Sequence, residues 1–209
     1  MAEPARPQRI ALYGGTFDPV HEGHVAIARA AHQALDLDRV IFLPAFRSPH
    51  KTDVDSVSGE HRAAMLRLAL AGHEWAELST WELDQQEPSY SWKTSRHFDA
   101  ELKKECRPFE LFWILGEDQW SALPRWSRPD LLAELLHFIV FPRDGVDPNP
   151  RAEFRMTPVA LTHPASGTAI RKSLKTGRTP EGLDEAVLAY AREQGLYLPS
   201  GEIQLEPSQ

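Results

Sequence analysis

The stretch Ile10-Ala11-Leu12-Tyr13-Gly14-Gly15-Thr16-Phe17-Asp18-Pro19-Val20-His21-Glu22-Gly23-His24 constrains this chain more than any other. An apolar run suited to a buried strand meets two glycines, which let backbone approach a ligand, and then a helix opening near Glu22 whose free N–H groups point into the same space. Residues 25–35 are alanine-rich, with Val25, Ala28, Ala31 and Leu35 on one helical face, and 39–44 is a second apolar run. Strand, helix and strand in that order require a parallel pair with a right-handed crossover. In such sheets ligands collect beyond the carboxyl ends of the strands, and the glycine–histidine loop lies at one of those ends.

The remaining pattern extends this α/β arrangement. It predicts helices over 59–72, 91–104, 129–136 and 183–194, strands over 109–116 and 137–143, one strand or two short ones over 76–83, and a last short strand over 156–161. Trp75 and Trp81 are expected as buried anchors. Residues 144–150, with glycine and prolines, read as a mobile loop, and 196–198 as a segment packing back on the domain. The expectation is one domain over 9–198, a doubly wound parallel sheet flanked by helices, with short polar tails at 1–8 and 199–209.

Charge and composition narrow the partners. A net charge of −7 argues against broad binding to nucleic acid or an anionic membrane, although a small anionic ligand needs only local positive charge. The single Cys106 rules out an intrachain disulfide framework, and no segment approaches the roughly 20 apolar residues of a membrane span. The first nine residues carry no apolar signal core, so a cytoplasmic location is expected. Oligomeric state stays open, homo-oligomers included.

Several side chains fall where a ligand would sit. His21 and His24, three apart, can meet one ligand together. Ser166 is a candidate N-cap for a helix over 167–175, whose first-turn N–H groups offer a second anion site; Thr168 and Arg171 reach the same side of that helix, one as hydroxyl donor and one as forked clamp. Lys51 lies on a basic, proline-stiffened loop after the second strand, which by itself is equally well a solvated loop. Asp118 is either a helix cap or a ligand contact, and Arg143 falls at the carboxyl end of a strand, where by itself it is a surface charge closing that strand. There is no G-x-S-x-G elbow and no Walker GxxxxGK[ST].

The string GGTFDPVHEGH resembles the signature of the nucleotidyltransferase superfamily, the T/HxGH group, in the form found in bacterial nicotinate-nucleotide adenylyltransferases. Further matches keep their order: Pro49-His50-Lys51 resembles the family's PPHK with Ser48 in place of the first proline, Pro88-Ser89-Tyr90-Ser91 its PSYT, Gly116-x-Asp118 with Trp126 its GxD…W, and Ser166-Gly167-Thr168-Ala169-Ile170-Arg171 its ISxTxIR with Ala165 for isoleucine. The resemblance implies a Rossmann-like fold of nucleotidyltransferase type and transfer of AMP from ATP to nicotinate mononucleotide, with Mg2+ carried mainly by the ATP phosphates; the sequence itself shows no metal-ligand cluster of the required spacing. The resemblance implies catalytic roles for His21, His24 and Arg171. It implies ATP contacts from those three with Gly14, Gly15, Thr16, Phe17, Gly116, Asp118, Ser166 and Thr168, and acceptor contacts from Gly15, Thr16, Lys51, Tyr90, Ser91, Asp118, Trp126 and Arg143. The alternatives are nicotinamide mononucleotide or phosphopantetheine as acceptor, and a nucleotide sensor that binds without transfer.

Overall fold

The computed structural model describes residues 6–49, 56–142, 147–161 and 163–198. Six parallel strands form one sheet: β1 (Gln8–Gly15), β2 (Arg39–Pro44), β3 (Ala76–Leu78), β4 (Phe109–Gly116), β5 (His137–Phe141) and β6 (Arg155–Pro158), in the order β3-β2-β1-β4-β5-β6. The order reverses between β1 and β4. That reversal opens a crevice at their carboxyl ends, because the connections leave the sheet in opposite directions there.

The strands read as continuous apolar runs because both faces are covered. Ala11, Tyr13, Val40 and Phe42 point into one core, shared with α1 (Glu22–Ala34), α2 (Gly59–Ala69), α7 (Gly167–Lys175) and α8 (Glu185–Glu193). Ile10, Leu12, Leu111, Trp113 and Leu115 point into the other, shared with α4 (Ser91–Lys104), α5 (Glu117–Ala122) and α6 (Pro129–Leu135). Strands 39–44 and 109–116 and helix 91–104 have the bounds that the sequence predicts.

Three local expectations are corrected. Only Ala76–Leu78 of 76–83 is strand; Thr80 opens a single helical turn, α3 (Trp81–Asp84), with its hydroxyl hydrogen-bonded to Asp84. Trp81 is therefore half-buried rather than a core anchor and lies flat on His97, centroids 4.4 Å apart, while Trp75 is half-buried beside His32 and His73. The last strand runs 155–158, not 156–161. Lys51 and Arg143 lie outside the described residues, as do residues 144–146 of the loop expected over 144–150. Among the described residues no helix is long and apolar enough to cross a membrane.

Candidate active site

The loop after β1 is held from three directions. A Cβ on Gly15 would lie 2.9 Å from the Phe17 ring, so glycine there lets that ring fold back under the loop; Phe17 itself takes a left-handed φ of 50°. Phe17 is buried and sits edge-on to His24, centroids 5.0 Å apart. Arg62 of α2, only 2% exposed, donates to the Thr16 carbonyl (2.8 Å) and the Val57 carbonyl (3.1 Å). Asp18, 6% exposed, accepts from the Tyr197 hydroxyl at 2.6 Å through Oδ1, and its carbonyl accepts from Arg171 Nη1.

His21 stands at the N-cap of α1 in an extended conformation, and His24 follows in the first turn. Their rings stack with centroids 3.7 Å apart and planes 24° from parallel. The His21 backbone N–H donates to His24 Nδ1 at 3.2 Å, which assigns the neutral His24 proton to Nε2. Burial, then the nearby His163 and Arg171, push the His21 pKa down to about 4; burial and His21 hold His24 well below its usual value. Their surroundings thus disfavour the charged form of both imidazoles, and a neutral ring keeps one N–H to offer.

The second helix start converges on the same place. Ser166 is the N-cap of α7 by position, but its hydroxyl makes no capping bond. With Gly167, Thr168 and Arg171 it lines a cleft of about 430 Å³ that also takes in Gly14, Gly15, Thr16, Phe17, His21 and His24. Arg171 Nη2 donates to Thr168 Oγ1 at 3.4 Å.

The same cleft is also lined by Tyr90, Ser91, Trp92 and Trp126, and by the Trp113 indole beside Gly14, where a Cβ would come within 3.0 Å of it. The turn bearing Tyr90 is pinned to the loop after β2: the Phe46 N–H donates to Ser89 Oγ (3.0 Å) and the Ser89 N–H to the Arg47 carbonyl (2.9 Å). Beneath it Glu82, 4% exposed, accepts from Thr94 Oγ1 at 2.6 Å; burial raises its pKa against the opposing pull of the Thr94 and Ser89 hydroxyls. Asp118 does not line this cleft. It borders an adjoining cavity of about 310 Å³ together with Gly116, His21 and His163.

Residues 12–173 match the family model described as cytidylyltransferase-like. A "Probable nicotinate-nucleotide adenylyltransferase" of Geobacillus thermodenitrificans (strain NG80-2) is 36% identical over 193 residues, covering 90% of this chain and 86% of its own. One of Solibacter usitatus (strain Ellin6076) is 37% identical over 190 residues, covering 90% and 99%. The chain belongs to the nicotinate-nucleotide adenylyltransferase branch of the cytidylyltransferase-like family. Among solved structures, a Plasmodium falciparum nicotinic acid mononucleotide adenylyltransferase complexed with NaAD superimposes with a TM-score of 0.66 at 15% identity, over 91% of this chain and 97% of that one. At that identity the likeness speaks to the fold of the family.

Of the residues that the family motifs single out, the main cleft gathers those of the glycine–histidine loop, the Tyr90 turn, Trp126 and the start of α7, with Gly116 on its rim. Sequence reasoning missed five others. Trp113 is hidden in an apolar run that reads as core. His163 is a lone histidine, yet its Nδ1 accepts from the Ala165 N–H at 3.1 Å and faces the same point beside Gly23 as His21 Nδ1. Arg62 had a signal: it shares an i, i+4 stripe with Leu66, an apolar face where an arginine needs a buried partner. Glu82 and Tyr197 carried none.

Proposed function

We propose that this chain transfers the adenylyl group of ATP to nicotinate mononucleotide, giving nicotinate adenine dinucleotide and pyrophosphate. The observation that carries the reading is the convergence of two helix starts, α1 with its histidine pair and α7 with Thr168 and Arg171, on one cleft that Tyr90, Trp92, Trp113 and Trp126 also line. The names of the relatives point to the same reaction, and the solved structure with NaAD supports the product. We take residues 9–198 as the working unit and the cytoplasm, where ATP is drawn upon, as its location.

A phosphate oxygen of the mononucleotide attacks the α-phosphorus in line. The new P–O bond forms as the bond from the α-phosphorus to the oxygen bridging the β-phosphorus breaks, and pyrophosphate leaves. The attacking phosphate is largely dianionic near neutral pH, its second pKa being about 6, so no general base is needed. The protein's share is position and charge stabilisation. His24, through Nε2–H, and His21 donate to phosphate oxygens; the guanidinium of Arg171 and the hydroxyl of Thr168 hold the same triphosphate; the α1 and α7 N–H groups add their dipoles.

At the acceptor end, Tyr90 and Ser91 place the nucleotide, and the indole of Trp126 offers its face to the electron-poor pyridinium. Asp118, from the adjoining cavity, reaches nucleotide hydroxyls, and Lys51 and Arg143 supply further phosphate contacts. Magnesium enters with ATP on its phosphate oxygens.

The test is pyrophosphate release with MgATP against nicotinate mononucleotide, nicotinamide mononucleotide and phosphopantetheine. Preference for the first is expected. Equal rates with the amide, or preference for phosphopantetheine, would overturn the acceptor; ATP binding with no release from any of them would make the protein a sensor.

A further inference from the structure

Within the glycine–histidine loop, the buried Asp18 carboxylate is tied to a distant part of the chain. It is buried in the loop that forms the floor of the phosphate end, three residues before His21. Its Oδ1 accepts from the hydroxyl of Tyr197, a residue that follows the last helix. After α8 the chain turns at Gly195 (φ 62°), the Leu196 N–H closes on the Ala191 carbonyl at 2.8 Å, and Tyr197, itself left-handed at φ 62°, is swung back beneath the loop. A non-glycine residue rarely adopts that conformation without a compensating contact, and here the contact is a 2.6 Å hydrogen bond to a buried carboxylate.

The same short loop is what orients Arg171. Arg171 Nη1 donates to the Asp18 carbonyl, while Arg62, buried and tied to the Thr16 carbonyl, feels the Asp18 charge from the other side. Asp18 thus serves two guanidiniums. Held by Tyr197, the carboxylate keeps one rotamer, and the Asp18 peptide stays where it fixes Arg171. Released, it is drawn toward the guanidiniums, and the peptide bonded to Arg171 moves with it.

We infer that Tyr197 is a positioning residue of the ATP site, acting through Asp18 to hold the 16–18 loop and the Arg171 guanidinium in the geometry that grips the triphosphate. The C-terminal turn does not line the cleft; it braces the loop that does. This rests on the proposed use of ATP, but not on which acceptor is used.

The experiment measures binding of α,β-methylene-ATP to the full chain by calorimetry, without acceptor, for wild type and Tyr197→Phe. The substitution removes one hydroxyl and keeps the ring that fills the space. A Kd raised about tenfold is expected, the scale of one lost hydrogen bond to a charged group, together with a higher KM for ATP and an acceptor KM within about twofold. An Asp18→Ala partner completes a cycle: in that background Tyr197→Phe should change the Kd no further. An unchanged Kd in folded Tyr197→Phe, or a second full loss of affinity on top of Asp18→Ala, overturns the inference. A lower thermal midpoint with unchanged Kd also overturns it, since that is what a structural role alone produces. Failure of the acceptor panel would overturn the substrate reading while leaving this comparison intact.

Discussion

The two ends of the cleft are built on different plans. The phosphate end draws on residues from β1, α1, α2, α7 and the segment after α8, and its polar groups are sunk into the protein: Asp18 and Arg62 are buried, and His21 and His24 are stripped of charge by burial. The end proposed for the acceptor is less deeply buried and centres on one contiguous turn. Ser89, Tyr90 and Ser91 are consecutive, half-buried, and pinned by the neighbouring Arg47 backbone and by Glu82 a few residues upstream. A constellation assembled from distant segments is rigid, and it suits charge stabilisation, where a misplacement of an ångström is costly. A turn carrying half-buried side chains can be altered without disturbing the chemistry, which suits selection of the acceptor.

The largest effect expected from this contrast is at the histidine pair. His24→Ala should lower kcat by roughly a hundredfold or more, the cost of one missing donor to a transition-state oxygen, with little change in acceptor KM. Steady-state rates on protein shown to be folded by circular dichroism check it. A rise in acceptor KM with kcat intact would move His24 to the wrong end of the cleft.

At the acceptor end the effect is smaller and of the other kind. Trp126→Ala should raise the acceptor KM by about tenfold through loss of ring stacking, leaving the KM for ATP within about twofold. An equal loss for both substrates would mean that the indole supports the fold of the cleft rather than the acceptor.

The smallest effect concerns pH. His21 has its folded pKa near 4, below the 6.5 of an unperturbed histidine, so between these values the unfolded chain binds a proton that the folded chain does not. Its contribution to stability is complete above about pH 6.5 and is lost as pH falls toward about 4. Urea midpoints at pH 7 and pH 5 should differ in that direction, and His21→Gln should narrow the difference. ATP should oppose the loss, because a triphosphate beside the ring favours its protonated form.

The contrast also explains what the sequence reveals. Elements buried on both faces, such as 39–44 and 109–116, are legible because a covered parallel sheet demands unbroken apolar runs. The acceptor turn is legible because it is contiguous: Pro88 to Ser91 forms a motif within a single loop. The phosphate end is only half legible. Its backbone-determined parts, the glycines and the two helix starts, leave local marks, whereas Tyr197 meets Asp18, and His163 comes beside His21, only through the topology, and neither has a spacing that says so. The 76–83 segment is misread for a local reason: the serine–threonine pair before Trp81 starts a helical turn after only three strand residues.

The division of labour between the two ends is tested most directly by one ratio. Measured as kcat/KM, discrimination between nicotinate and nicotinamide mononucleotides should be the same in wild type and in His24→Ala, although both rates fall together by about two orders of magnitude. A ratio that collapses when His24 is removed would show that the phosphate end also reads the acceptor, and would contradict the account.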